Sequence, residues 1–533
     1  MKKIILLLTI FSLVFFSCAK RGMISGGPKD SIAPVIVKSS PKNYETNFSG
    51  KTIKIDFSEY IKVKEINKQL IVSPPMTKNP TIVPQGSASK FISITLNEDL
   101  KPNTTYSFNF GQSITDYNEG NPYSQFKYVF STGAFVDSLK VSGEIIDAFE
   151  KETDEFVTVM LYDAETYNDS LVYKNKPVYI TNTLEKNTKF SIENIKEGNY
   201  YIVALKDKNN NYNYQAKSEK IAFKKEKIKI PSDSSYTLKL FAEKNEIKTY
   251  SPTVESNNKL FLGYEGNAST VKLFYKKNNI ETPLRFAKSA NRKSDTLQVF
   301  MPKEAKDSIQ ILVKSENYMK QYIVKLKKLK EADSLKVTLF ANKKFKFNEK
   351  LSLETTTPIK KINSEKIFLR KKDSTLVSFT TEINDFEQLI SFDFKQEENE
   401  KYELELLPGA IEDEYDTKSD SLKFAFDKGA ISDYGNLKLR MKNINRFPYI
   451  VQILNTSGDI VGEKYCTKET ELYFEATQPS NYQVRLFYDD NQNKIWDSGN
   501  FKNKLQPEEM IYFPGLIDVR ANWDVDQELE LKL

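Results

Sequence analysis

Apolar and polar residues alternate along this chain with a period of two, and that period narrows its fold more than any other feature. Ile53, Ile55 and Phe57 alternate with Lys54, Asp56 and Ser58. Ile92, Ile94 and Leu96 alternate with Ser93 and Thr95, and Tyr106, Phe108 and Phe110 with Ser107 and Asn109. The period returns at Val271, Leu273 and Tyr275, at Leu335, Val337 and Leu339, at Leu422, Phe424 and Phe426, and at Val484, Leu486 and Tyr488. Side chains two apart share one face of a strand, so alternation means one buried face and one wet face, as in antiparallel sheets. The strands come at short intervals with Gly, Pro, Asn and Asp between them, which is the pattern of β-sandwiches. No long amphipathic helix is visible, and Ile61 to Leu70 has room for one short helical segment. The expected fold class is all-β, a tandem string of β-sandwiches.

Composition excludes several functions. The 533 residues contain no histidine, which removes Ser-His-Asp and Cys-His nucleophile pairs, histidine general bases and almost all zinc or copper sites. A net charge of +6 is small for this length. Lysine is spread evenly, so the basic stripe of a nucleic-acid binder is missing. Carboxylates are plentiful, for example Glu412, Asp413, Glu414 and Asp416. A glycosidase needs two of them facing across a cleft, and a run of acids is normally a solvated loop. The chain therefore reads as non-enzymatic.

The first residues describe export. Met1-Lys2-Lys3 is a short positive start, and Ile4 to Phe16 is an apolar or hydroxyl run too short to span a bilayer. The junction Phe15-Phe16-Ser17-Cys18 resembles the bacterial lipobox, with Phe15 where Leu is usual. That resemblance makes 1–17 a signal peptide and Cys18 a lipidated, palmitate-bearing residue. Ala19 is not the Asp that retains such lipoproteins at the inner membrane, which points to the outer membrane, with the periplasmic or cell-surface face left open. Residues 18–31 read as a tether. The only other cysteine is Cys466, so lipidation of Cys18 leaves no intramolecular disulfide, and Cys466 reads as a plain buried thiol.

Five folded segments succeed the tether. In 32–133, Ala33-Pro34-Val35, Ser40-Pro41, Ile53 to Glu59, Leu100 to Tyr106, Asp116, Gly120-Asn121 and Phe130-Ser131-Thr132 resemble the SbsA-type bacterial Ig-like domain, common in Bacteroidota lipoproteins. In 136–243, Val141 to Ile145, Phe190 to Ile192 and Gly198 to Ala204 resemble the transthyretin-like or carboxypeptidase-regulatory-like sandwich. A further β unit occupies 247–330. In 335–429 the Tyr402 strand, Ile411, Asp413 and Leu422 to Phe426 echo the Tyr106 strand, Ile114, Asp116 and Phe126 to Phe130. In 433–533, Asn481 to Leu486 leading into Asp489 echoes Asn199 to Ala204 leading into Asp207. An Ig-like and transthyretin-like pair is thus expected twice, forming a long β rod on its anchor.

The sharpest local motif is Asp489-Asp490-Asn491-Gln492-Asn493-Lys494-Ile495-Trp496-Asp497. Asp489, Asn491, Asn493 and Asp497, with the Ile495 carbonyl, fall at the ligand positions of a calcium loop. Lys494 stands where that loop has glycine, and Asn500 where it has glutamate. The loop reads either as a structural calcium site, the one cofactor the sequence suggests, or as an Asp/Asn-rich turn bonded to its own backbone. Asp207 to Asn211 begins in the same way, with Gln215 at the ninth position.

Asp followed by Ser or Thr and an aliphatic residue places Ser31, Ser138, Ser170, Thr296, Ser308, Ser334 and Ser421 in a pattern that resembles the O-glycosylation acceptor of Bacteroidota exported proteins. The alternative is a polar residue entering a strand. Trp496 and Trp523 are the only tryptophans, and they either stack on sugars or fill packing. The expected function is that of an envelope-anchored scaffold, adhesion or assembly lipoprotein with an envelope protein as partner. The alternative is a glycan-binding accessory protein using the C-terminal Trp region.

Overall fold

The computed structural model describes residues 30–531 apart from 245–246, 269, 279, 289–294, 306, 316–317, 327–332, 341–343 and 346–348. Cys18 and the export segment lie outside the described residues.

The period-two residues form strands with the expected buried faces. Ile53, Ile55, Phe57, Ile92, Ile94 and Leu96 are buried together with Tyr106, Phe108 and Phe110 in one core. The expected helix is only Ile66–Gln69. The strand Thr52–Val63 runs through Ile61 and Val63, which are buried, and pairs there with Ile114–Asp116. Pairing and burial claim the first half of the segment before a helix can nucleate.

Sheets and cores fall into five groups along the chain, designated units 1 to 5. In unit 1, Ile36–Ser40, Thr52–Val63, Ser89–Thr95 and Thr81–Val83 form one sheet in that order. Ile71–Ser73, Thr105–Asn109 and Lys127–Ser131 form the other. Unit 4 repeats this order. Val337–Leu339, Leu351–Thr355, Leu389–Phe394 and Phe379–Asn384 make its first sheet. Ile367–Lys371, Lys401–Leu406 and Leu422–Lys428 run through its second.

Units 2 and 5 share a different signature, a last strand running parallel to the first. Ser235–Ala242 pairs with Leu139–Asp147, and Asp524–Glu530 with Gly435–Lys442. In both, the strand that leads into the Asp loop, Gly198–Leu205 or Ser480–Tyr488, is central to its sheet. Unit 3 has two sheets of its own over a separate core.

The rod expectation is corrected by how the units meet. Unit 1 sits on the edge of unit 2, where the Ile180 N–H donates to Ser73 Oγ at 3.1 Å and Lys127 pairs with Glu193 at 2.8 Å. Units 3 and 4 abut through Lys288 and Glu387 at 2.8 Å and through Tyr415, whose hydroxyl donates to the Met301 carbonyl at 2.9 Å. Unit 5 then folds back onto unit 2. Phe501 is fully buried in a cluster with Tyr173, Tyr214, Phe223 and Phe241 of unit 2. Burying a phenylalanine is worth roughly 2–3 kcal/mol, and a string of separate sandwiches would leave this one in water.

This docking also changes one alternation. Gln483 and Arg485, the polar positions of the strand Ser480–Tyr488, are buried rather than wet. Lys151 donates to Gln483 Oε1 at 2.7 Å, and the Arg485 guanidinium lies 4.7 Å from the Phe149 ring centroid. Unit 2 covers the face that the sequence left for solvent.

Candidate functional site

The Asp489 loop leaves the central strand of unit 5 at the point where unit 5 meets unit 2. Asp489 is fully buried. Its Oδ1 accepts the Asn493 N–H at 3.0 Å, and its Oδ2 accepts the Lys494 N–H at 2.8 Å. Asn491 and Asn493 each donate a side-chain amide to Asp497 Oδ2 at 2.5 Å. Lys244 of unit 2 holds Asp497 Oδ1 at 2.6 Å. The Ile495 N–H donates to Asn493 Oδ1 at 2.9 Å. Lys494, at the position a calcium loop gives to glycine, takes that residue's left-handed backbone, with φ +64°. Among the described residues, no group of three or more Asp, Glu, His or Cys side chains is placed to hold a metal ion.

Glu508, which has no place in the calcium-loop pattern, closes the loop from outside. Its Oε1 accepts the Asp490 N–H at 3.0 Å, and its Oε2 the Asp497 N–H at 2.9 Å. Burial pushes its carboxyl above the usual glutamate range, and the two N–H bonds only partly offset this. Burial acts on Asp497 in the same sense, but Lys244 and the two asparagine amides outweigh it and bring that carboxyl below its ordinary value.

The sister loop of unit 2 shares the outer part of this wiring, though Asp207 Oδ1 accepts from the Asn209 N–H, two residues on. Asp207 Oδ2 accepts the Tyr212 N–H, five residues on, at 2.7 Å. Glu219 accepts the N–H groups of Lys208 at 3.0 Å and Gln215 at 2.9 Å, the positions matching Asp490 and Asp497. Positive φ also recurs at matching places, Asn210 and Tyr212 against Gln492 and Lys494. Units 1 and 4 carry their own pair. Asp116 accepts the N–H groups of Glu119, Gly120 and Asn121 at 2.7–2.9 Å, and Asp413 those of Tyr415 and Thr417 at 2.9 and 2.8 Å.

The two loops part company on their C-terminal side. Residues 498–507 reach over unit 2 before Glu508 returns. Gly499 passes so close to Phe241 that a Cβ there would lie 2.5 Å from the ring. Lys504 pairs with Asp169 at 2.5 Å, Gln506 Nε2 donates to the Phe223 carbonyl at 2.9 Å, and the Tyr512 hydroxyl to the Phe149 carbonyl at 2.9 Å. Beside the loop, an open groove of about 950 Å³ runs between units 2, 3 and 5. Lys225, Lys244, Tyr318, Asn491, Asn493 and Glu508 line it. Such a surface can hydrogen-bond and pair with a polar ligand or a protein loop.

The remaining candidates are dispersed. Trp496 packs on Phe149, ring centroids 4.7 Å apart, and donates its indole N–H to the Glu508 carbonyl at 3.1 Å. Trp523 is exposed, with the Arg520 guanidinium 5.3 Å from its ring centroid. Ser31, Ser138, Ser170, Ser308, Ser334 and Ser421 are exposed, and Thr296 is half-buried at the start of its strand. Cys466 is buried, and burial pushes its thiol up to about 11 despite a bond from Tyr449.

Among solved structures, the chain is similar to surface layer protein SbsC, domains 1–6, at 9% identity and TM-score 0.14, covering 87% of this chain and 66% of that one. It is similar to the Bacillus anthracis TIE protein at 11% identity and TM-score 0.14, covering 96% and 76%. It is also similar to the BSP domain of a biofilm-associated protein at 8% identity and TM-score 0.16, covering 77% and 99%. No curated protein matches the chain. The family comparison speaks to unit 1, where residues 30–132 match the bacterial Ig-like domain.

Proposed function

We propose that this chain is a non-enzymatic assembly or adhesion module of the bacterial outer membrane, lipidated at Cys18. The observation that carries the reading is the clasp between units 2 and 5. A chain of independent sandwiches needs no such contact, whereas a frame that must present a fixed groove does. The Asp489 loop, held by Asp489 and Glu508, forms one wall of that groove and Lys225 and Tyr318 another. Its partner on this reading is an envelope protein.

Two experiments test the proposal. Palmitate labelling should be lost in Cys18→Ala, and label that persisted would remove the anchor. Purification of the tagged chain from detergent-solubilised envelope should bring down one envelope protein in stoichiometric amount. That protein should be lost from a Lys225→Glu/Tyr318→Ala variant. A preparation with no companion, or one the groove variant retains, would overturn the assignment.

A further inference from the structure

Units 1 and 4 share one sheet order, but the outer faces of their first sheets differ in chemistry. In unit 4 that face carries Ser352, Glu354, Ser391 and Asp393, between the core positions Leu351, Leu353, Ile390 and Phe392, with Phe340 its one exposed aromatic among the described residues. In unit 1 it carries Val35, Tyr60 and Phe91, exposed by 55%, 58% and 40%, with Val37, 68% exposed, at the bulge of the edge strand and Ile32 and Tyr117 at the end. Backbone pairing sets these residues around Asp56 and Ser58 on one sheet. The Ser58 N–H donates to the Val35 carbonyl at 2.8 Å, the Tyr117 N–H to the Tyr60 carbonyl at 2.9 Å, and Asp56 pairs across to Phe91. The Asn121 amide reaches the carbonyls of Asp30 and Ile32 at 3.0 and 3.4 Å.

We infer that this face of unit 1 lies against the lipid surface and seats the protein on its membrane. The inference rests on the Cys18 anchor proposed above. Eleven residues lie between Cys18 and Asp30, a span of twelve chain steps. At about 3.3–3.6 Å per residue they reach roughly 40 Å at most, so unit 1 is the unit held nearest the bilayer. A soluble protein rarely leaves a clustered apolar face uncovered, and exposed tyrosines suit the headgroup level. The charges fit a weakly charged surface rather than an electrostatic one. Lys54 pairs with Asp56 at 2.9 Å and lies 4.7 Å from the Phe91 ring centroid, Lys90 lies 5.3 Å from that of Tyr60, and Asp30, Asp116 and Glu119 offset them near Glu59. The seat therefore depends on apolar burial, and salt affects it little.

The test supplies the anchor chemically. The full mature chain is coupled through the Cys18 thiol to maleimide-phosphatidylethanolamine in phosphatidylethanolamine/phosphatidylglycerol vesicles, with Cys466 shielded by burial. Hydrogen exchange is then compared with the uncoupled chain. Amides of 32–40, 58–61 and 115–121 should slow at least threefold, and those of 351–355 and 389–394 should not change. Val37→Glu/Tyr60→Glu should abolish the protection while leaving the fold intact, and 0.5 M salt should leave it within twofold. No protection, protection equal in units 1 and 4, or protection lost in salt but kept in the Glu variant would each overturn the seat. Because coupling does not require cellular lipidation, failure of the palmitate experiment would be separate from failure here.

Discussion

Asp489 and Glu508 hold one loop from opposite sides. The aspartate accepts two backbone N–H groups from within, and the glutamate accepts two more from outside. An acceptor removed from a buried donor costs about 1–3 kcal/mol. Asp489→Ala strands the Lys494 N–H and leaves the Asn493 N–H only Asn491 Oδ1, and should cost about 1–3 kcal/mol in urea unfolding. Glu508→Gln keeps one acceptor oxygen and should cost about half as much. Equal, small losses for the two would show that the loop is held by something else.

The calcium expectation for Asp489, Asn491, Asn493, Ile495 and Asp497 makes a separate forecast. Both Asp489 oxygens are committed to N–H donors, and Lys244 already neutralises Asp497. The melting temperature should therefore be the same in millimolar calcium and in chelator. A rise in calcium of more than about 3 °C would mean that the ion binds the folded loop and stabilises it by linkage.

Phe501 is the plug of the clasp. Phe501→Ala should cost about 3–5 kcal/mol, the range for emptying a buried aromatic site, and should let units 2 and 5 unfold separately. Gly499→Ala should do the same by a different route, because its new methyl would meet the Phe241 ring and the Leu505 carbonyl, 2.5 and 2.8 Å away. Calorimetry reads both. A single transition kept by both variants would show that the clasp does not couple the units.

The clasp should tighten in mild acid. Burial raises the carboxyls of Glu219, Glu243 and Glu508 above the ordinary 4.5. A raised acid adds stability below its unfolded value and loses it as pH rises through its folded value. Asp497 works the opposite way, since its lowered carboxyl adds stability above 3.8 that is lost as pH falls through its folded value. Asp497 loses its share only below 3.8, so from neutral pH down toward 4.5 the glutamates decide the sign. Glu243 Oε1 accepts the Phe501 N–H at 2.5 Å, so Glu243→Gln should reduce the gain in melting temperature over that interval. An unchanged slope would show that Glu243 does not titrate there.

Much of the fold was legible because period-two alternation is a direct consequence of pleat geometry. Ile53, Ile55 and Phe57 could be assigned to a core from their spacing alone. The repeat was legible at Asp207 and Asp489 and at Asp116 and Asp413, where a buried carboxylate has to organise a turn. Glu508 was hidden because its distance from the aspartate is not fixed. Glu219 follows Asp207 by twelve residues and Glu508 follows Asp489 by nineteen, and the difference is the segment that carries Phe501. That length mismatch was the available signal. Docking itself left no local trace, since Gln483 and Arg485 are chemically ordinary for a wet face. Phe149 and Lys151 cover them from a unit more than 300 residues away, alongside Gln452, Tyr512 and Phe513 of their own unit.

The clasp has a mechanical consequence. Tension applied to unit 5, with unit 1 held fixed, has two routes through the molecule. One runs along the backbone through units 4 and 3. The other crosses directly from the Phe501 segment into unit 2. While the clasp is shut the shorter route carries the load, and units 3 and 4 hang in an unloaded loop. When Phe501 is drawn from its cluster, that loop pays out as slack before any sandwich has to unravel. The protein can then lengthen once under force with every sheet intact.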